Sequence, residues 1–159
     1  MSEKLIGYLR TDALVLDMQA GTKEEAIREL VQVVVDHGEI SADDQEAVVQ
    51  AVLVREERGS TGLGDGIAIP HVRDCEHVNG LTGAFGRSKD GIPFDAIDGN
   101  PVDLVFLILG GAGTNDEHIK ILQGLASLRQ NQHFLRFLRD AADEEAVVDV
   151  IKEMSGALS

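Results

Sequence analysis

Residues 102–109, Val-Asp-Leu-Val-Phe-Leu-Ile-Leu, form an almost unbroken apolar run that ends in Gly110-Gly111. Successive side chains of a strand point to opposite faces, so a run that is apolar at both parities asks for cover on both sides. The run is far shorter than the roughly 20 residues that span a bilayer, and Asp103 interrupts it. It reads as a central strand, which needs packed layers above and below it.

The flanking segments supply those layers. Residues 22–37 read as a helix: Thr22 and Glu25 are spaced as a capping box. Ala26, Ile27, Leu30, Val31, Val34 and Val35 recur at helical spacing, and Gly38 supplies the stop. Ser41 with Asp44 opens a second helix carrying Ala47, Val48, Ala51 and Val52, which ends near Arg58-Gly59. Thr114 with Glu117 predicts another capping box and a helix over residues 115–129, with Ile119, Leu122, Leu125 and Ala126 inward. Residues 134–138 and 143–154 read as two closing helices. Residues 81–86 read as a strand and residues 91–94 as a shorter one. Residues 59–66, half of them glycine, read as a loop whose backbone approaches something closely. Residues 67–69 are a short apolar run stopped by Pro70. Strands mixed with helices over 159 residues predict one α/β sandwich domain, residues 1–159. A chain of this length buries enough surface to need no disulfide or metal.

Composition narrows the partners. The net charge of -14 argues against a phosphate backbone and against an anionic lipid surface. A single cysteine, Cys75, precludes a disulfide framework within the chain and fits a reducing compartment. Residues 1–10 are charged and short of apolar residues, unlike a signal peptide.

Chemistry then rests on five histidines. His37 precedes a helix-ending glycine, where a cation complements the helix dipole. His133 lies in the polar run Asn131-Gln132-His133, and His77 in the polar stretch 73–79; both read as solvated. His71 differs. It follows a glycine-rich loop, an apolar run and a proline, which stiffens itself and its predecessor. That places His71 on a rigid support, either as a functional group or as a structural histidine with its bonds satisfied. His118 falls in the first turn of a predicted helix, where the neutral ring and a bound anion are both favoured. It reads either as an N–H donor to such an anion or as a polar residue facing water. His71, Asp74, Cys75 and His77 offer metal-ligand atoms, but their spacing matches no strong zinc signature.

The run from Arg55 to His71, Arg-Glu-Glu-Arg-Gly-Ser-Thr-Gly-Leu-Gly-Asp-Gly-Ile-Ala-Ile-Pro-His, closely resembles the signature of enzyme IIA domains of the mannitol/fructose type. These belong to the bacterial phosphoenolpyruvate-dependent phosphotransferase system. Residues 94–104, Phe-Asp-Ala-Ile-Asp-Gly-Asn-Pro-Val-Asp-Leu, look most like the nitrogen-regulatory branch. Residues 117–122, Glu-His-Ile-Lys-Ile-Leu, are similar to the family's second-histidine helix. Val72 and Arg73 stand where many members have a small residue such as glycine after the first histidine. Gly110-Gly111-Ala112-Gly113 stands where proline or alanine is common.

The resemblance implies a three-layer α/β sandwich with a mixed sheet between helices, and three site roles. His71 matches the phosphoacceptor, His118 the partner histidine that contacts the phosphoryl group, and Arg55 an arginine that holds negative charge. It implies a cytoplasmic protein without a cofactor or metal, phosphorylated by a histidine phosphocarrier of the HPr kind. Onward from His71 it implies either a regulatory protein of the nitrogen type with a target protein, or a fructose/mannitol-type component passing the group to a cysteine of a IIB partner. A protein-binding module that has lost the covalent chemistry is the alternative of another class.

Overall fold

A computed structural model describes residues 13–157. The reading of residues 1–10 lies outside that range. In chain order the elements are β1 (Leu14–Val15), α1 (Lys23–Asp36), a 3-10 turn (Ala42–Asp44) and α2 (Gln45–Glu57). Then come β2 (Gly62–Gly64), β3 (Ile67–Ala68), β4 (His71–Val72), β5 (Leu81–Ile92) and β6 (Val102–Gly110). α3 (Asn115–Leu128), α4 (Gln132–Asp140) and α5 (Glu144–Ala157) close the order.

The apolar run is the strand β6, at the centre of a six-stranded sheet in the order β1-β5-β6-β3-β2, with β4 also on β6. The sheet is mixed: β5 is antiparallel to β6, whereas β3 and β4 are parallel to it. Val105, Leu107 and Leu109 enter the core layer shared with α1 and α2. Leu104, Phe106 and Ile108 enter the opposite layer, with α3, α4 and α5. The alternation along one strand therefore builds both cores.

β3 and β4 are one strand interrupted. Ile67 pairs with Leu104 and His71 with Ile108, the same offset in each case. Pro70 between them has no N–H to give, yet its carbonyl accepts the Ile108 amide at 3.0 Å, so the segment stays stitched to β6. Residues 59–66 are not wholly loop: β2 lies within them and folds back antiparallel on β3. The expected strand at 81–86 continues in β5 to Ile92 across a register shift between Arg87 and Ile92, so only the first two residues of the strand expected at 91–94 belong to it.

The helices follow their predicted starts with local differences. Thr22 Oγ1 accepts the Glu25 amide at 3.2 Å, but the Glu25 carboxylate takes the amide of Gly21, one residue before the expected Thr22. Ser41 caps the 3-10 turn, and α2 follows from it. Thr114 is the N-cap residue of α3 but makes no capping bond; its hydroxyl donates to the Gly111 carbonyl at 2.7 Å. The inward face of α3 is also offset from expectation. Its buried stripe is His118, Ile121, Leu125 and Leu128, while Ile119 is exposed.

Two polar ties fix the frame around the site. Glu56 on α2 is buried and accepts from the Thr61 amide at 3.2 Å and from the Thr61 hydroxyl. Lys23 Nζ completes it at 3.2 Å, tying α1, α2 and the glycine-rich segment together. Arg87 on β5 donates to the carbonyls of Leu138, Arg139 and Ala141, satisfying the end of α4.

Candidate functional site

β4 lies on the edge of β6 away from β5, and α2 packs beside it. Strand alternation turns Val72 toward the α1/α2 core, against which it is packed. His71 therefore takes the other side, level with Ile108. There it meets α3: the His71 and His118 rings lie edge to face, 5.5 Å between centroids and 62° between planes.

The His71 ring is held by its own backbone. Nδ1 lies 2.7 Å from the Ile69 carbonyl. A carbonyl can only accept, so Nδ1 carries the proton and Nε2 keeps its lone pair. Burial lowers the proton affinity of His71; the Ile69 bond opposes this, and the Arg55 charge adds to the lowering. The neutral, nucleophilic form is thus the resting form at neutral pH.

His118 is fully buried, not a residue facing water. Neither of its ring nitrogens has a hydrogen-bond partner among the described residues. Buried polar atoms are nearly always satisfied, so a buried imidazole with two open nitrogens beside a second histidine is a functional signal. Burial, then the His71 and Arg73 charges, push its pKa down to about 4. The ring is neutral and can offer one N–H. It fits here because Gly110 has no side chain: a Cβ there would lie 2.7 Å from His118 Nδ1. The glycine that departs from the common pattern is the floor of the site.

A cleft of about 420 Å³ opens over His71, lined by Arg55, Arg58, Arg73, Asp74 and Asn115 among others. Ala51, Val54, Arg55 and Arg58 are one stripe of α2, at i, i+3, i+4 and i+7. Arg55 Nη1 donates to the Gly59 carbonyl at 3.0 Å, which anchors the guanidinium and leaves other N–H groups free. The structure thus brings His71 and Arg55 to one cleft and His118 against His71. Arg58 also lines the cleft and is not singled out by the sequence, though helix phase places it on the Arg55 face; Arg73 and Gly110 stand out in the sequence only as departures from the family pattern.

The other histidines lie elsewhere. His37 Nδ1 is 2.8 Å from the Val33 carbonyl at the end of α1. His77 is half-buried beside Asp44 at 3.2 Å, and His133 is exposed on α4. Among the described residues no three His, Cys, Asp or Glu side chains converge as metal ligands, and Cys75 is buried. No described helix is long and apolar enough to cross a membrane.

Known proteins share the span and the fold of this chain. The family model described as "Phosphoenolpyruvate-dependent sugar phosphotransferase system, EIIA 2" matches residues 8–154. The fructose-specific EIIABC component of Bacillus subtilis is 36% identical over 150 residues; the match covers 94% of this chain and 23% of that protein. The chain thus spans about a quarter of that relative. The fructose-specific EIIA component of Haloferax volcanii is 38% identical over 139 residues, 87% of this chain and 88% of that one. Among solved structures, nitrogen regulatory protein IIA-Ntr of Neisseria meningitidis superposes with a TM-score of 0.82 at 33% identity, covering 91% of this chain and 97% of that one. Enzyme IIAMTL of Escherichia coli, in its complex with phosphorylated IIBMTL, superposes with a TM-score of 0.76 at 26% identity, covering 91% and 97%. The mixed sheet between helices, the histidine pair and the matched span lead to one conclusion: the chain belongs to the EIIA 2 family of the phosphoenolpyruvate-dependent sugar phosphotransferase system, as a phosphotransferase-type component.

Proposed function

We propose that the protein is a phosphoryl carrier that takes the group on Nε2 of His71. One observation carries this reading: an imidazole whose Nδ1 is engaged by the Ile69 carbonyl, with its remaining nitrogen free beside buried, unpartnered His118. The donor is a phosphohistidine of an HPr-type phosphocarrier. The Nε2 lone pair forms the new N–P bond while the donor's P–N bond breaks, its electron pair returning to the donor's ring. The transition state is loose, so its charge must be met by positioned groups. Arg55 supplies a planar fork for the equatorial oxygens, and His118 supplies an N–H. The phosphorylated ring keeps its Nδ1 proton toward Ile69. It is then cationic, which makes it a good leaving group for the next transfer. No cofactor or metal enters these steps.

In this reading residues 1–159 act as one cytoplasmic domain of the nitrogen-regulatory type, binding a target protein according to its phosphorylation state. The resemblance at residues 94–104 and the similarity to IIA-Ntr support it. A second reading is transfer to a cysteine of a fructose- or mannitol-type IIB partner. The names of the Bacillus and Haloferax relatives favour that one.

The test uses phosphoenolpyruvate, the upstream kinase and an HPr-type carrier. Acid-labile phosphate is expected on the protein and is expected to vanish in His71→Ala; label that persists in that variant excludes His71. Partners captured with phosphorylated and unphosphorylated protein then separate the readings. A state-dependent target supports regulation, and transfer to a IIB cysteine supports transport.

A further inference from the structure

Two cations in the cleft are not used by His71, His118 and Arg55. Arg58 lies one turn beyond Arg55 on the same stripe of α2, and Arg73 follows β4. Neither guanidinium makes a hydrogen bond or ion pair among the described residues. Arg28 is tied to Glu24 and Glu46, Arg139 to Asp103, and Arg87 and Arg129 to carbonyls, while Arg136 stands exposed on α4 away from the cleft. A chain with 28 acidic residues has carboxylates in plenty, so two unpaired guanidiniums beside a nucleophile are a marked arrangement. The one carboxylate lining the cleft, Asp74, accepts from Asn115 at 3.2 Å.

Of the two, Arg73 is better placed. It is the second residue after His71, immediately past the end of β4. Arg73 lines the same cleft as His71. Its charge lowers the proton affinity of both His71 and His118.

We propose that Arg73 is a further phosphoryl-binding residue, closing its guanidinium on the oxygens of the group carried by His71 while Arg55 holds them from α2. This rests on the carrier reading above. The planar fork suits two oxygens at once, and a lysine there would act only as a point charge.

The experiment has two arms, neither needing a protein partner. In the first, inorganic phosphate is titrated into the unphosphorylated protein while the ring protons of His71 and His118 are followed by NMR. In the second, His71 is phosphorylated with phosphoramidate and the product followed by phosphorus NMR. Nε2 forms the N–P bond, and the P–N bond of phosphoramidate breaks with its electron pair on the departing nitrogen, which leaves as ammonia. Loss of one charge-assisted bond predicts that Arg73→Gln weakens phosphate binding and slows labelling by about tenfold. Arg73→Lys is expected to recover part of each loss. Arg136→Gln, which removes an exposed charge on α4 outside the cleft, is expected to change neither. Wild-type values in Arg73→Gln, or an equal loss in Arg136→Gln, overturn the proposal. Wild-type protein that takes no phosphoryl group on His71 overturns the carrier reading instead, and the phosphate arm then decides Arg73 by itself.

Discussion

A side chain that is absent shapes this site as much as those present. Gly110 ends β6 directly beneath His118, and an added methyl would press on Nδ1 of that ring. The Thr114 hydroxyl would lie 3.1 Å from the same methyl, so two side chains at the start of α3 must give way. Gly110→Ala is therefore expected to displace His118 while leaving the sheet intact. Losing one positioned donor to a developing anion slows transfer by about a hundredfold. The measurement is the rate of phosphoryl uptake by Gly110→Ala, with urea unfolding alongside. Uptake at the wild-type rate would mean that His118 takes no part in transfer.

Between elements, the tie of Lys23, Glu56 and Thr61 decides how α2 meets the glycine-rich segment, and with it where Arg55 points. Glu56 is almost fully buried, so removing it strands the amide and hydroxyl of buried Thr61 and leaves half-buried Lys23 with only exposed Asp95. Glu56→Ala is expected to cost about 3 kcal/mol, read as a lower urea midpoint; a loss below 1 kcal/mol would make the tie incidental. Elements with local signals were legible in advance. β6 announces itself by its unbroken apolar run, and α1 by Thr22, its stripe and Gly38. β2 and β4 were not legible, because two- and three-residue strands exist only through partners distant in sequence. The phase of α3 was misread because a histidine heads its buried stripe, and no apolar count places a histidine inside. The candidate site divides along the same line. His71 and Arg55 stand in a continuous motif, whereas the burial of His118, the role of Gly110 and the approach of Arg73 depend on how β4, β6 and α3 converge.

For the whole molecule, the neutral His118 ring links the site to acid stability. Because the folded ring binds its proton more weakly than the unfolded ring, whose pKa is near 6.5, acid favours the unfolded chain. The contribution is complete above pH 6.5 and is lost as pH falls toward about 4. It amounts to roughly 2–3 kcal/mol between pH 7 and pH 4.5. Urea unfolding of wild type and His118→Leu at both values isolates this share, since the carboxylates are common to both. An equal acid loss in the variant would contradict it. One β6 strand feeding both cores also predicts a single transition with a common slope at each pH. Two separated transitions would contradict a single domain.

The bond from His71 Nδ1 to the Ile69 carbonyl, with Pro70 stitched to β6, bears on the direction of transfer in the carrier reading proposed above. A ring held at one nitrogen by its own chain offers the same Nε2 to a donor and to an acceptor. That clamp favours neither loading nor unloading. In that reading the site is a two-way crossing, and the net flow through it is set by whichever neighbour holds the larger stock of activated phosphate.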